Sequence, residues 1–255
     1  LFGPPGVGKT TLAGALAERL RECGHGVELA LSYRPSECPP VSRVEGIARS
    51  WVPAALRRLA RPLVETFAAA GCLAEPPETA VAAELRRLLP PANVVWSLRL
   101  RQYMRRLSRI WSGASLAGGI VLFDQGFVQA VYTFALLSRA ADPERIALAL
   151  DAVPEADLIV RLDAPAEILE ARLAERRRRQ SRLEQLLDRW TGFGSAAVFD
   201  DLHELLQLRA RPVICVNSAD PRSLRDGVKR AEAIVIGIKG KVSAGPSVEE
   251  QEGTA

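Results

Sequence analysis

Residues 1–13 read LFGPPGVGKTTLA, and within them Gly3, Gly8, Lys9 and Thr10 stand at the spacing G-x-x-x-x-G-K-T. A polyphosphate is held by backbone N–H groups wrapped around it, and only residues without a Cβ let the backbone come close enough. Gly3, Gly6 and Gly8 give that approach, with Pro4, Pro5 and Val7 completing the loop. The helix expected from about Thr10 to Glu22 adds unpaired amides and the positive end of its dipole. Lys9 then reaches phosphate oxygens, Thr10 offers its hydroxyl to a metal, and Thr11 leads into the apolar face Leu12, Leu16 and Leu20 that anchors the helix to a sheet.

The chain has 30 arginines against four lysines, and Lys9 is the only lysine before Lys229. So strong a bias toward arginine leaves a compact ammonium where a point charge between phosphates is wanted and a guanidinium fork would be too large.

At 255 residues, with 48% hydrophobic and 25% charged residues, the composition is that of a globular protein able to bury one α/β core. The net charge of +4 suits an anionic ligand but is too weak and spread out to indicate nucleic acid binding. Cys23, Cys38, Cys72 and Cys215 are scattered, and the two histidines, His25 and His203, stand at no metal-ligand spacing. A reduced, cytoplasmic protein is expected. No run reaches the roughly 18 apolar residues of a membrane span. The best candidate, Phe127 to Leu137, carries Gln129, Tyr132 and Thr133. No signal peptide is recognised. A phosphate loop ordinarily follows a buried strand of about five or six residues; here Leu1 and Phe2 precede Gly3, so part of the first strand is expected to be missing.

Beyond the first helix, Val27 to Leu31 reads as a short buried strand, and Arg34 follows at the carboxyl edge where a parallel sheet places ligand contacts. Residues 36–116 read as a helical insertion punctuated by Pro39-Pro40, Pro76-Pro77 and Pro90-Pro91, with helices over Pro53–Ala70, Pro77–Leu89 and from Pro91 or Ala92 to Trp111. The last is dense in arginine. Either one side of it lines an acceptor pocket, with Arg101, Gln102 and Arg105 as the candidates, or all its arginines face water.

Within the stretch GGIVLFDQG, Gly118 to Gly126, the four apolar residues Ile120 to Phe123 read as a buried parallel strand that delivers Asp124 at its carboxyl end. A carboxylate there can hold the water shell of Mg²⁺ or take a hydroxyl proton; a turn aspartate capping the helix Phe127–Ser138 is the plainer alternative. Asp157–Asp163 is a further strand, followed by a helix from Ala166 to Arg177 that runs into Arg176, Arg177, Arg178, Arg179 and Arg182. Such a run is ordinarily a solvated face, but beside a phosphate loop it reads as an arginine-bearing lid over about 172–192, with Arg176 and Arg182 its catalytic members. Leu183–Leu208 is read as mostly helical, Val213–Val216 as the last core strand, and Pro221–Ile234 as the closing helix, with a disordered tail over 239–255.

Taken together, these parts resemble the nucleoside and nucleotide kinases of the P-loop class, thymidylate kinase most of all. GPPGVGKT matches the family loop, Arg34 sits in its turn position, and LDAPAEILEARLAER matches its L-D-x-x-P-E strand with one extra residue. Arg182-Leu183-Glu184 resembles the lid element and ICVNSAD the final strand with its base-contacting loop. The resemblance implies a P-loop NTPase three-layer sandwich with a parallel sheet, in one domain over 1–238. It further implies ATP and Mg²⁺ as cofactors, a kinase activity, and Lys9, Asp124, Arg176 and Arg182 as catalytic residues, with Thr10 and Asp124 on the metal. Where the family has Asp-Arg-Tyr, this chain has Asp124, Gln125 and Gly126, so the arginine for the acceptor's phosphate is absent and Gln125 stands in the acceptor site. A neutral alcohol, such as a nucleoside or a sugar, thereby joins the nucleotides as a candidate acceptor. Two other readings stand beside the kinase: an ATPase of the AAA type, and a nucleotide-binding module without transfer activity. Apolar helix faces in the insertion offer a surface for a homodimer.

Overall fold

Four short apolar runs, each followed by helical sequence, become strands: β1 (Val27–Ala30), β2 (Ile120–Phe123), β3 (Ile159–Asp163) and β4 (Val213–Asn217). A helical crossover returns the chain to the same end of its neighbour, so such strands pair in parallel. In the computed structural model, which describes residues 1–31, 78–117, 119–138, 140–179 and 196–243, β1 pairs with β2 from Val27 opposite Ile120 to Ala30 opposite Phe123. β3 pairs with β4 from Ile159 opposite Val213 to Asp163 opposite Asn217. These are two separate two-stranded sheets, and residues 1–3 span the gap between them. The Leu1 amino group donates to the Phe123 carbonyl at 2.8 Å, while Phe2 N–H donates to Val160 O and Phe2 O accepts from Leu162 N–H, both at 2.9 Å.

The described helices are α1 (Lys9–Glu22), α2 (Glu78–Leu88), α3 (Val94–Ala117), α4 (Phe127–Leu137), α5 (Pro143–Asp151), α6 (Ala166–Arg179), α7 (Ala196–Leu208) and α8 (Pro221–Ser243). They cover both faces of the strands. On one side Leu85, Leu100, Met104, Phe134, Ile146 and Leu202 pack around Phe2, so α2 and α3, read from sequence as an insertion, are built into the same core as the strand-spanning segment. On the other side Leu12, Leu16 and Leu20, one helical turn apart, pack with Ile120, Val160, Leu162, Val216 and Val228. Burying an apolar side chain of this size is worth about 1.5–3 kcal/mol, which makes these two clusters the main support of the arrangement. No helix among the described residues is long and apolar enough to cross a membrane.

Three differences from the sequence reading have physical causes. α3 runs six residues past Trp111, to Ala117, because the Trp111 ring lies 5.1 Å from both Phe123 and Phe127 and ties the end of the helix to β2 and α4. α8 continues beyond Ile234 to Ser243, into the stretch read as a tail, since Ala231 and Val235 still pack against the core on that helix. α5 was not legible from its apolar pattern; it is announced instead by its cap, in which Asp142 accepts from Arg145 N–H at 2.8 Å ahead of Pro143 at the first turn. The helix read over 53–70 and the tail beyond 243 lie outside the described residues.

Candidate functional site

The loop at residues 3–10 is held from several sides. Gly3 passes so close to β3 that a Cβ there would lie 2.6 Å from Leu162 O, an approach only glycine permits. Its N–H donates to Gln129 Oε1 at 2.9 Å, from a side chain of α4 that is 6% exposed. Val7 is fully buried in the α1-side core, and its carbonyl accepts from Ser218 Oγ at 2.6 Å, just past β4. Gly8 takes φ of 94°, the left-handed region, and begins α1 with no side-chain cap. The first amides of α1 therefore keep their capacity for an anion. Lys9 is buried, and its Nζ donates to Gly3 O at 2.7 Å and Pro4 O at 3.0 Å, so the loop curls around the ammonium.

Asp124 arrives at the carboxyl end of β2, buried to 1% exposure. Its Oδ2 accepts from Thr10 Oγ1 at 2.9 Å. The structure therefore brings together the two residues read as metal partners. The capping alternative does not describe Asp124, because α4 is capped by Gly126 with no side-chain bond. Hydroxyl and carboxylate oxygens are the donors that Mg²⁺ takes, usually one or two from protein with waters completing the shell. Among the described residues no cluster of three or more His, Cys, Asp or Glu offers a richer metal site.

Beside this pair an open recess is lined by Ala30, Leu31, Tyr103, Arg106, Ile110 and Gln125, among others. Tyr103 OH donates to Gln125 O at 3.4 Å. Burial, and then the nearby Asp124, push the Tyr103 phenol well above its ordinary value, with Arg106 acting in the opposite direction, so the phenol remains a neutral donor. Arg101, Gln102 and Arg105 lie on the same helix, α3, but the helical period turns Tyr103, Arg106, Leu107 and Ile110 into the recess instead. Gln125 does line it.

Helix α6 lies next to the loop, since a Cβ on Gly6 would come within 3.3 Å of Leu173 Cγ. Arg172, at the start of the stretch read as a lid, donates to Ser218 O at 2.7 Å, which ties α6 to the residue that holds Val7. Arg176 falls on α6, but its side chain, like Arg34 and Arg182, lies outside the described residues. Pro5, Thr10 and Thr11 are exposed at the loop's mouth.

Sequence reasoning gave no role to Gln129, Tyr103 or Arg106, and reached Ser218 only as part of the loop that the resemblance implies. Gln129 carried a signal, as a glutamine within the apolar run FVQAVYTFALL, since a buried amide needs partners. In comparisons with known proteins, neither the family models nor the sequences of curated proteins gave a match to this chain.

Proposed function

We propose that this chain is a P-loop phosphotransferase that moves the γ-phosphoryl group of ATP to a small-molecule acceptor. The observation that carries the reading is the Thr10 hydroxyl on the Asp124 carboxylate at 2.9 Å, directly after a glycine loop closed around Lys9. The hydrogen-bonded order β1, β2, residues 1–3, β3, β4 supports a P-loop sandwich, with the phosphate loop leaving the central segment.

In this reading the amides of Gly6, Gly8 and the first turn of α1 hold the phosphates, and Lys9 exchanges its carbonyl partners for phosphate oxygens. Thr10 and Asp124 would hold Mg²⁺, which when bound would neutralise phosphate charge. The acceptor oxygen forms a bond to the γ phosphorus as the bond from that phosphorus to the bridging oxygen breaks, and ADP leaves with the electron pair. Where the acceptor nucleophile is a hydroxyl, Asp124 takes its proton. Arginines of α6 and the segment after it, Arg176 and Arg182, neutralise charge on the transferring group. An ATPase of the AAA type would need a carboxylate to activate water, and Gln125 stands in that place.

The test is ADP formation from Mg·ATP with and without acceptor panels. Lys9→Ala is expected to lower acceptor-stimulated turnover about 100-fold or more with the circular dichroism spectrum unchanged. Unchanged turnover would remove the site assignment, and steady hydrolysis that no acceptor stimulates would favour the ATPase. Nucleotide binding without any turnover would favour the binding module.

A further inference from the structure

The recess beside Asp124 has a chemistry that the sequence order conceals. Under the resemblance to the nucleotide kinases, the uncharged Gln125 stands where a cation for the acceptor's anionic group is implied. In the folded molecule a cation reaches the same recess from another element, because Arg106 of α3 lines it together with Gln125 and Tyr103. Resting on the phosphotransferase reading, we propose that this recess binds the anionic group, a phosphomonoester or a carboxylate, of an acceptor that lies against Asp124, and that Arg106 is its anchor.

Three observations converge on Arg106. Three partly buried arginines stand against carboxylates: Arg161 with Asp200 at 2.9 Å, Arg209 with Asp151 at 2.7 Å, and Arg211 with Glu155. Half-buried Arg106 has no carboxylate partner among the described residues. A guanidinium drawn partly out of water without an anion is unfavourable, and an incoming oxyanion removes that cost while gaining charge-assisted hydrogen bonds. Second, the Tyr103 phenol at the same wall stays protonated and donates to Gln125 O at 3.4 Å, a long bond that it can exchange for one to the anion. Third, Ala30, Leu31 and Ile110 make the rest of that wall apolar, which strengthens the attraction between Arg106 and an anion. Gln125 is the neighbour of Asp124 in the chain, so an acceptor anchored on Arg106 extends toward the pair Thr10 and Asp124.

The experiment compares matched probes that differ only in an anionic group: thymidine 5′-monophosphate against thymidine, ribose 5-phosphate against ribose, and glycerate against glycerol. Equilibrium binding, which needs no turnover, and ADP formation are measured on the wild type and on Arg106→Gln, Arg106→Lys and Arg105→Gln, each checked for an unchanged melting temperature. At least one anionic member is expected to bind at least about 10-fold tighter than its neutral partner. Arg106→Gln is expected to weaken that binding about 30-fold or more and to raise KM with a smaller effect on kcat. Arg106→Lys should recover part of the loss, and Arg105→Gln should change it less than about twofold. Phosphate and carboxylate probes distinguish the two sources of the oxyanion. If no anionic probe is preferred, or Arg106→Gln leaves the preference intact, the assignment is overturned whatever the turnover. Arg106-dependent binding with no ADP formed by any probe sustains the recess and overturns the phosphotransferase reading instead.

Discussion

Thr10, on the first turn of α1, donates its hydroxyl to Oδ2 of Asp124 at 2.9 Å, joining residues 114 apart in the chain. The phosphate loop and the carboxyl end of β2 meet through this bond, so neither residue acts alone. Thr10→Val and Asp124→Asn are each expected to lower acceptor-stimulated turnover about 100-fold. The double variant should be little worse than the more severe single, because partners in one interaction are non-additive. Thr10→Val should also raise the Mg²⁺ concentration needed for half-maximal rate. Additive losses with an unchanged Mg²⁺ requirement would separate the two residues.

Gln129 supplies the acceptor for Gly3 N–H, and both are buried. Leucine at this position keeps most of the volume and removes the acceptor, leaving an amide with no partner inside the protein. Gln129→Leu should destabilise by about 1–3 kcal/mol and raise KM for ATP, since the loop loses its tie to α4. Thermal unfolding and nucleotide titration check it; an unchanged melting temperature would mean that the amide finds another acceptor.

Gly227 in α8 lies against β4 so closely that a Cβ there would collide with Val216 Cγ1. Alanine is ordinarily the better helix former by roughly 1 kcal/mol, yet here it must push the helix off the strand. Gly227→Ala is expected to lose about 1–3 kcal/mol by overpacking, and the pair Gly227→Ala with Val216→Ala to recover part of it. A stabilised Gly227→Ala protein would show that Val216 gives way at little cost and that helix propensity decides the outcome.

Glu232 of α8 joins that helix to α1, accepting from Cys23 Sγ at 3.3 Å and from Arg19 at 3.0 Å. These bonds, the thiol first and then the guanidinium, hold its carboxyl below the ordinary 4.5. A carboxylate lowered in the folded state contributes stability that is fully present above the unfolded value and lost as pH falls through the folded one. Glu232→Gln should therefore melt below the wild type at pH 7, with the gap closing as the pH is taken well below 4.5. A gap that persists at low pH would assign the effect to packing rather than charge.

The strands were legible because each is a compact apolar run with a turn signal after it, and all four appear within two residues of where the sequence put them. The helix ends were less legible. Trp111 reads as the last apolar residue of a helix, and what extends α3 is its stacking on Phe123 and Phe127, which come later in the chain. The acceptor side was less legible for a similar reason. Arg101, Arg105 and Arg106 are chemically alike in sequence, and only the packing of Leu100, Met104 and Leu107 into the core sets the rotation of α3 that brings Arg106 to the recess Gln125 also lines.

By itself the sequence determined the glycine loop with Lys9 and Thr10, because close backbone approach and helix initiation are settled among residues a few places apart. It also determined the alternation of buried strands and amphipathic helices, which is a matter of local period. The tertiary structure alone decided that Thr10 meets Asp124, that Gln129 and Ser218 hold the loop from two sides, and that Arg106 lines the same recess as Gln125. Those relationships depend on strand order and on the rotation of each helix against its core, and both are fixed by the simultaneous burial of residues far apart in the chain.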